Sequence, residues 1–256
     1  MKPRKPKIKL WDIETSHNLL LSFSLLERNM ISHKQIMEER YIISAAFRDW
    51  GTKGVRGYGI HEYDLWDKDP HDDWAVVSAI HEELSDCDAI VAHYGNKFDL
   101  PFFNGRALFH GLPPIPPIIQ IDTYQIAKKA FKLNSNRLDY IAKVVGVEGK
   151  IPTNLNLWLD VWKGDVKAAS DMLKYNMQDV NVLNDVFERI KVYAPSQVNH
   201  TLFLDIEEGC AHCGSEHIHY RGYLPTRRGL FRRFQCQECG AWGSHAKKEK
   251  NKSQVK

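Results

Sequence analysis

Residues 8–14 read Ile-Lys-Leu-Trp-Asp-Ile-Glu, and this stretch decides the fold that we predict for the chain. Its apolar and β-branched residues predict a first β-strand over Ile8 to Ile13. Side chains two residues apart on a strand project from the same face, so Asp12 and Glu14 point the same way. Two carboxylates placed together supply the oxygen ligands that hard divalent cations prefer. The stretch therefore predicts a strand that carries a metal-binding acidic pair.

Acidic pairs with this spacing are common in the chain, so this pair needs support from other segments. Five such pairs occur, and segment 205–207 repeats the Asp-Ile-Glu sequence. Asp99 follows the apolar segment 89–92, which predicts a buried strand, and open α/β sheets assemble their sites at the carboxyl ends of such strands. Tyr175 and Asp179 are four residues apart on the longest predicted helix, which places them on one face. The first acidic pair is thus expected to belong to a larger site.

The remaining predicted elements follow an order that is typical of an α/β fold. After the first strand, further strands are expected near residues 41–47, 54–60, 89–92 and 118–121. Helices are expected near 74–84, after Pro101, near 124–131, near 138–145 and after Asp165, which is a good N-cap. This element order resembles that of a ribonuclease H-like fold, in which a mixed sheet is flanked by helices.

The candidate site residues resemble the motifs of the DEDD superfamily of 3′→5′ exonucleases, in the subclass with tyrosine in the third motif. Proofreading domains of family B DNA polymerases belong to this superfamily. The resemblance covers roughly residues 7–192, and segment 205–207 is discarded because it follows the third motif. The motifs Asp-x-Glu, Phe-Asp and Tyr-x-x-x-Asp match, in chain order, Asp12 and Glu14, Phe98 and Asp99, and Tyr175 and Asp179.

The resemblance implies a hydrolase that uses two Mg²⁺ or Mn²⁺ ions per active site. It implies that Asp12 bridges both ions, that Glu14 and Asp179 complete the first site, and that Asp99 supports the second. Tyr175 is expected to orient the attacking water, because a tyrosine with an ordinary pKa of about 10 is a poor base at neutral pH. The implied reaction removes nucleotides from 3′ ends, with DNA as the preferred substrate and RNA left open.

Several residues near the motifs refine the resemblance. Family members usually carry Asn four or five residues before the second-motif Asp, where this chain has Gly95 and Tyr94, so we expect it to handle the nucleotide near the scissile bond differently. Lys174 stands where the histidine subclass would need its base, which disfavours that subclass. Asp122 and Asp139 are interpreted as structural residues rather than metal ligands.

Four of the five cysteines form two Cys-x-x-Cys pairs that predict a metal site. Four thiolates suit one structural, tetrahedral Zn²⁺, and an iron–sulfur cluster is the alternative. Cys87 stands apart and is interpreted as a small, half-buried apolar residue. The predicted zinc ligands are Cys210, Cys213, Cys236 and Cys239.

Arginine and aromatic residues alternate between the two cysteine pairs, in a segment that resembles the zinc ribbons found beside transposase and nuclease domains. Arginine binds phosphate and aromatic rings stack on bases, so this segment is expected to contact nucleic acid. Residues 200–256 carry a net charge of +4, whereas the rest of the chain carries −1, which favours the same interpretation. The arginines proposed for this role are Arg221, Arg227, Arg228, Arg232 and Arg233.

The domain organisation follows from these segments. We expect an exonuclease domain over 1–195, a four-cysteine zinc ribbon over 200–246 and a basic, disordered tail over 247–256. The chain is 43% apolar and 26% charged, which excludes collagen-like and globally disordered classes. No uncharged run is long enough to span a membrane and no secretory signal is present, so the expected location is cytoplasmic.

The expected partner is nucleic acid with single-stranded 3′ ends. A chain of 256 residues has no room for a polymerase module, so a separately encoded polymerase or replication protein is a second candidate partner. Two alternatives stay open: a structure-selective endonuclease on the same fold, and a non-catalytic adaptor that binds nucleic acid through the ribbon.

Overall fold

The computed structural model describes residues 3–22, 31–147, 153–194 and 198–246. The chain divides into two compact units, one formed by Lys7–Glu188 and the other by Met1–Pro6 together with Arg189–Lys256. The predicted domain end at residue 195 and the predicted basic tail at 247–256 lie outside the described residues.

A five-stranded mixed sheet forms the centre of the larger unit. The strands of this unit are β1 (Ile8–Thr15), β2 (Leu19–Leu20), β3 (Ile36–Glu38), β4 (Ile42–Asp49), β5 (Val55–Gly59), β6 (Ala89–Ala92) and β7 (Ile119–Asp122). The sheet has the order β5-β4-β1-β6-β7, and β2 and β3 form a separate two-stranded hairpin. β1 pairs antiparallel with β4 and parallel with β6, so it is a central strand.

The helices of the larger unit alternate with strands around β6 and β7, and the last four follow one another after β7. They are α1 (Trp74–Ser85), α2 (Asp99–Phe109), α3 (Thr123–Ala130), α4 (Leu138–Val144), α5 (Leu155–Trp162) and α6 (Val166–Ile190). Short 3-10 helices cover His33–Gln35 and Ile60–Glu62 in this unit, and Lys191–Tyr193 in the smaller unit. The mixed sheet with its flanking helices confirms the predicted α/β fold class.

β1 is buried along most of its length because it has a strand on each side. Leu10 and Trp11 are fully buried, and the Trp11 ring stacks on Phe47 of β4 with a centroid distance of 5.7 Å. Burial decreases only towards the carboxyl end of the strand, at Asp12 and Glu14. The hydrophobic core therefore holds β1 in place and leaves its two acidic side chains at the edge of the core.

A buried ionic network joins β1 to α1. Lys9 Nζ lies 2.6 Å from Glu83 Oε2, and both side chains are less than one-tenth exposed. Arg56 and the hydroxyl of Tyr58 also donate hydrogen bonds to Glu83. Burial raises the pKa of Glu83, but the hydrogen bonds from Arg56, Lys9 and Tyr58 outweigh it and lower the pKa to about 2. Paired in this way, the buried carboxylate stays charged and fixes the register of α1 against the sheet.

Most of the predicted elements are present, with small shifts in their ends. The helix expected after Pro101 begins earlier, at Asp99, because the first turn of a helix needs no N–H donor from proline. The predicted N-cap Asp165 accepts a hydrogen bond from the backbone N–H of Ala168. The segment between the first two predicted strands, for which irregular structure is expected, contains the β2–β3 hairpin, and α5 is an additional helix.

The smaller unit contains a three-stranded antiparallel sheet and one short helix. Its elements are α7 (His200–Leu204), β8 (Ile218–Thr226), β9 (Gly229–Cys236) and β10 (Trp242–Ala246), with the strand order β10-β9-β8. Its core is small and consists of Cys210, Phe234, Cys236 and Ala241.

None of the described helices is both long enough and apolar enough to cross a bilayer.

Candidate active site

Three separate elements of the larger unit carry the predicted site residues. β1 carries Asp12 and Glu14, which pair with Ala46 and Ser44 of β4 and so lie on one face of the sheet. Asp99 is the first residue of α2, directly after the loop that follows β6. Tyr175 and Asp179 are one turn apart on α6. Local geometry thus orients each group, and the packing of the three elements decides whether the groups meet.

These residues do converge in the structure. One carboxylate oxygen from each of Asp12, Glu14 and Asp179 lies within 4.8 Å of the other two. Asp99 Oδ1 accepts a hydrogen bond of 3.2 Å from the backbone N–H of Ile13, which stands between the two acids of β1. The hydroxyl of Tyr175 is hydrogen-bonded to Asp179. All five predicted residues therefore belong to one cluster.

The acids raise one another's pKa values because they are close together and largely shielded from water. Burial raises the pKa of Asp12, and the charges of Asp99, Glu14 and Asp179 raise it further. Burial also raises the pKa of Asp99 to about 7, against the hydrogen bond from Ile13. No salt bridge to Asp12 or Asp99 forms among the residues that the structure describes. Such a group of carboxylates is a favourable position for added positive charge.

The donor set fits hard divalent cations. Asp12, Glu14, Asp99 and Asp179 offer only carboxylate oxygens, which are the ligands that Mg²⁺ and Mn²⁺ prefer. A bound cation would also reverse the electrostatic cost of holding these acids in their charged form.

Tyr175 is a hydrogen-bond donor in this site. Burial raises its pKa, and so do the charge of Asp179, the hydrogen bond to Asp179 and the charges of Glu14 and Asp12. The hydroxyl therefore keeps its proton throughout the neutral range.

Asn176 belongs to the site although the sequence did not single it out. It is fully buried on α6, and its Nδ2 donates a hydrogen bond of 2.7 Å to Asp12 Oδ2. Its Oδ1 accepts a hydrogen bond of 3.3 Å from the hydroxyl of Ser44. Its spacing of three residues from Asp179 was the available signal, because residues three apart share a helix face.

The loop between β6 and α2 contains Tyr94 and Gly95, the positions where the family usually carries Asn, and its backbone is unusual at both residues. Tyr94 has a φ of 68°, and its ring is 44% exposed and packs edge-on against Tyr124 at 4.9 Å. A side chain at Gly95 would bring its Cβ to 2.4 Å from that of Ala92, so only glycine fits there. This close approach keeps the loop tight behind Asp99, whose carboxylate oxygen also lies near Gly95.

Asp122 and Asp139 have local structural contacts. Asp122 is the N-cap of α3 and accepts hydrogen bonds from the backbone N–H groups of Tyr94 and Tyr124. Asp139 is exposed and accepts a hydrogen bond from the backbone N–H of Tyr140. These contacts agree with the structural interpretation of both residues.

A second group of acids in the larger unit is already neutralised. Ligand atoms of Asp72, Asp73 and His110 lie within 4.8 Å of one another. The carboxylate of Asp73, however, accepts hydrogen bonds of 2.6 and 2.8 Å from Arg106. The guanidinium already supplies the positive charge at this position, so the group is a structural ion pair.

The four cysteines of the smaller unit form a compact cluster. Cys210 Sγ lies 3.6 Å from Cys239 Sγ, and Cys213 Sγ lies 3.7 Å from Cys236 Sγ. These distances exclude disulfide bonds and match the edge of about 3.8 Å of a tetrahedron with metal–sulfur bonds of about 2.3 Å. The cluster is compatible with a zinc site.

The two cysteine pairs have the same backbone geometry. In each pair the N–H of the glycine that follows donates a hydrogen bond to the carbonyl oxygen of the first cysteine, at 2.7 Å for Gly214 and Cys210 and at 3.2 Å for Gly240 and Cys236. Gly214 and Gly240 follow the second cysteines and have φ values of 77° and 75°. Glycine adopts this left-handed conformation without strain, which explains why it follows each pair.

The predicted nucleic-acid-binding arginines lie on or next to the hairpin of β8 and β9. The guanidinium of Arg232 lies 3.5 Å from the ring centroid of Tyr220, and that of Arg233 lies 5.4 Å from Trp242. Neighbouring residues on a strand point to opposite faces, so the side chains of these two arginines lie on opposite faces of the sheet. Residues 221–230 are exposed throughout, and they include Arg221, Arg227 and Arg228.

Comparison with known proteins gives one family match and several structural ones. A family model described as the RNase_H superfamily matches residues 50–191, a range that includes Asp99, Tyr175 and Asp179 but not the acids of β1. No curated protein sequence matches the chain.

One solved structure similar to this chain is the family B DNA polymerase from the hyperthermophilic archaeon Pyrobaculum calidifontis. It aligns with a TM-score of 0.55 and 17% sequence identity. The alignment covers 80% of this chain and 28% of the polymerase chain, so the chain spans less than a third of its length. At this identity the similarity is one of fold.

Proposed function

Because this chain belongs to the RNase H superfamily, we propose that it is a metal-dependent 3′→5′ exonuclease that hydrolyses phosphodiester bonds of nucleic acid. The observation that carries the proposal is the convergence of Asp12, Glu14 and Asp179, whose carboxylate oxygens lie within 4.8 Å of one another, with Asp99 and Tyr175 beside them. The family model supports a nuclease-type function, and the 3′→5′ direction is the finer part of the proposal.

We propose Asp12, Glu14, Asp99 and Asp179 as the ligands of two Mg²⁺ or Mn²⁺ ions. When bound, such a pair of cations supplies activation of a water molecule and neutralisation of the charge on the phosphate and the leaving oxygen. The raised pKa values of Asp12 and Asp99 support this assignment, because both acids lack a cationic protein partner among the described residues.

The protein's own groups position the reactants. Tyr175 keeps its proton, so its hydroxyl orients a water or a phosphate oxygen by hydrogen bonding and does not act as the base. Asn176 holds the carboxylate of Asp12 through its side-chain amide, and Ser44 holds that amide in turn. The orientation of Asp12 is therefore fixed before substrate arrives.

The smaller unit is proposed to hold one structural Zn²⁺ and to bind the substrate strand. Sulfur–sulfur distances of 3.6 and 3.7 Å support a four-cysteine site. The exposed arginines of the β8–β9 hairpin, with Tyr220 and Trp242 next to them, support contact with phosphates and bases. We propose single-stranded 3′ ends of DNA as the preferred substrate, in keeping with the similarity to a DNA polymerase.

The decisive experiment follows the degradation of a 5′-labelled single strand with Mn²⁺ and after chelation. The protein should shorten the strand one nucleotide at a time, and Asp12→Asn should abolish this activity. Asp205→Asn is the matched control, because Asp205 begins the other Asp-Ile-Glu sequence and already adopts a left-handed backbone (φ 56°) that asparagine tolerates.

The product pattern separates the alternatives. A few internal fragments without a ladder would indicate a structure-selective endonuclease. Binding of the strand with no metal-dependent cleavage would indicate a non-catalytic adaptor. DNA and RNA strands of the same sequence, tested side by side, decide the substrate class.

A further inference from the structure

Arg40, which lies outside the acidic cluster, contacts two aromatic rings, and one of them belongs to the residue before Asp99. The guanidinium carbon of Arg40 lies 5.0 Å from the ring centroid of Phe102 and 6.0 Å from that of Phe98. The two rings stack on each other with a centroid distance of 5.8 Å. Phe98 is the residue before Asp99. The arginine side chain is thus held next to the segment that carries one of the proposed metal ligands.

The backbone around Arg40 is fastened to the segment that follows the acidic pair of β1. The N–H of Arg40 donates a hydrogen bond of 3.2 Å to Asn18 Oδ1. The next residue, Tyr41, donates its N–H to Ser16 Oγ at 2.8 Å and accepts a hydrogen bond from the N–H of Ser16 at 2.9 Å. The backbone of Arg40 is therefore fixed next to the carboxyl end of β1, which is the end of the strand that carries Asp12 and Glu14.

Arg40 differs from two other arginines of the larger unit in its charge partners. Arg56 forms salt bridges with Asp49 and Glu83, and Arg106 with Asp73. By contrast, Arg40 forms no salt bridge among the residues that the structure describes, and its side chain is exposed. The guanidinium lies over the rings of Phe98 and Phe102 and forms no hydrogen bond among the described residues, so its N–H groups are available to a ligand.

These features match what a phosphate-binding arginine requires. A planar guanidinium held by its face can donate two parallel hydrogen bonds to one phosphate. A polyanionic strand approaching four carboxylates is repelled by them, and a fixed cation beside them reduces this repulsion. Glu14 pairs with Ser44, which is four residues from Arg40, so Arg40 lies about 13 Å along the strand direction from the level of Glu14 at about 3.3 Å per residue.

From this geometry we infer that Arg40 binds an internucleotide phosphate of the substrate strand, a few nucleotides from the bond that is cleaved. This inference rests on the proposed function for the presence of a strand at the acidic cluster. It adds to it a substrate-binding residue in the larger unit, separate from the arginines of the β8–β9 hairpin.

The test measures binding rather than cleavage, in a protein that carries Asp12→Asn so that the strand is not degraded. A fluorescent oligothymidylate of about twelve nucleotides is titrated at several KCl concentrations. Arg40→Gln should weaken binding about 3- to 10-fold and reduce the slope of log affinity against log salt by about 0.7, the value for one phosphate of a single strand. Lys53→Gln, which removes an exposed positive charge at the other end of β4, should change neither value.

A further variant and a stability measurement distinguish the loss of a phosphate contact from a folding defect. Arg40→Lys keeps the charge but loses the planar stacking, so it should retain the salt slope with intermediate affinity. Thermal unfolding of each variant checks the fold. An unchanged slope for a folded Arg40→Gln, an equal loss in Lys53→Gln, or no binding by the parent protein would overturn the inference. This binding test is independent of the degradation assay. If Arg40 contributes to binding as expected but the wild-type protein does not degrade the strand with Mn²⁺, only the proposed function is contradicted.

Discussion

Asn176, buried on α6, donates a hydrogen bond of 2.7 Å to the carboxylate of Asp12, which is 164 residues away in the chain. The same amide accepts a hydrogen bond from Ser44, which is also fully buried. The contact joins the long helix to the central strand at the position where the acidic residues meet. It also lowers the pKa of Asp12, against burial and the neighbouring charges that raise it.

Asn176→Ala should therefore weaken metal binding at Asp12. Removal of a group that orients a metal ligand typically costs about 10- to 100-fold in metal affinity or activity. The half-saturating Mn²⁺ concentration for strand degradation should rise by a factor of this order. The control is Asn181→Ala. Asn181 lies on the same helix as Asn176 and accepts a hydrogen bond from Arg48 of β4, so its loss should leave the Mn²⁺ dependence unchanged.

Asp99→Asn should stabilise the metal-free protein at pH 8 but not at pH 4. Burial raises the pKa of Asp99 from 3.8 to about 7, so the folded protein holds a proton that the unfolded chain releases between these two values. The charge of Asp99 thus destabilises the fold increasingly as the pH rises from about 4 to 7, by an amount on the order of 2–4 kcal/mol.

Thermal melts in the presence of a chelator measure this effect, which corresponds to several °C for a chain of this size. Asp67→Asn on the exposed loop after β5 serves as the control. If the melting temperatures of wild type and Asp99→Asn differ equally at pH 5 and pH 8, Asp99 does not titrate in this range.

Tyr175→Phe should lower kcat about 10- to 100-fold with little change in KM, because the lost hydroxyl orients a reactant and contributes little to ground-state binding. Because the pKa of Tyr175 is raised above its ordinary value, its hydroxyl does not ionise in the neutral range. The dependence of kcat on pH should therefore have the same shape in the wild type and in Tyr175→Phe. Tyr58→Phe, which removes a hydroxyl hydrogen-bonded to Glu83, is the control. A kcat unchanged in Tyr175→Phe would remove the hydroxyl from the reaction.

Cys236→Ser should abolish zinc binding and unfold the smaller unit. The apolar core of this unit contains few residues besides the cysteines, so a bound metal is expected to supply much of its stability. Elemental analysis should find about one zinc per wild-type chain and none in the variant, with rapid tryptic cleavage in the arginine-rich hairpin. Cys87→Ser should retain the zinc, because Cys87 is separate from the cluster.

Arg232→Ala and Arg233→Ala should differ in their effect on strand binding. The two residues are adjacent on β9 and stack on Tyr220 and Trp242 on opposite faces of the sheet. A single strand that follows one face should lose affinity and about 0.7 of the salt slope with one variant and much less with the other. Equal, small effects from both would exclude the β8–β9 hairpin from substrate binding.

Much of the fold and the candidate site could be predicted because the relevant patterns are local. The period of two on β1 places Asp12 and Glu14 on one face, and the i, i+4 spacing on α6 does the same for Tyr175 and Asp179. The spacing of the cysteines likewise indicated a metal cluster. Each of these features depends on backbone geometry within a few residues.

Other features escaped prediction because no local pattern specifies them. The strands β2 and β3 have only two and three residues, which is too short to show a period, and α5 has only eight residues, a length that a strand can also have. The position of Arg40 depends on hydrogen bonds to Ser16 and Asn18 and on rings from α2. These contacts form only after distant segments have packed.

Which side chains share a face of a strand or a helix follows from the order of the residues alone, because the stereochemistry of the chain sets the direction of each side chain. Packing of distant segments brings a buried amide to Asp12, holds Asp99 against the backbone of β1, and places Arg40 beside Phe98 and Phe102. Such contacts depend on how elements pack across more than 80 residues of chain. Burial and neighbouring charge, which set the pKa values of the acids, arise from that packing and from no single segment.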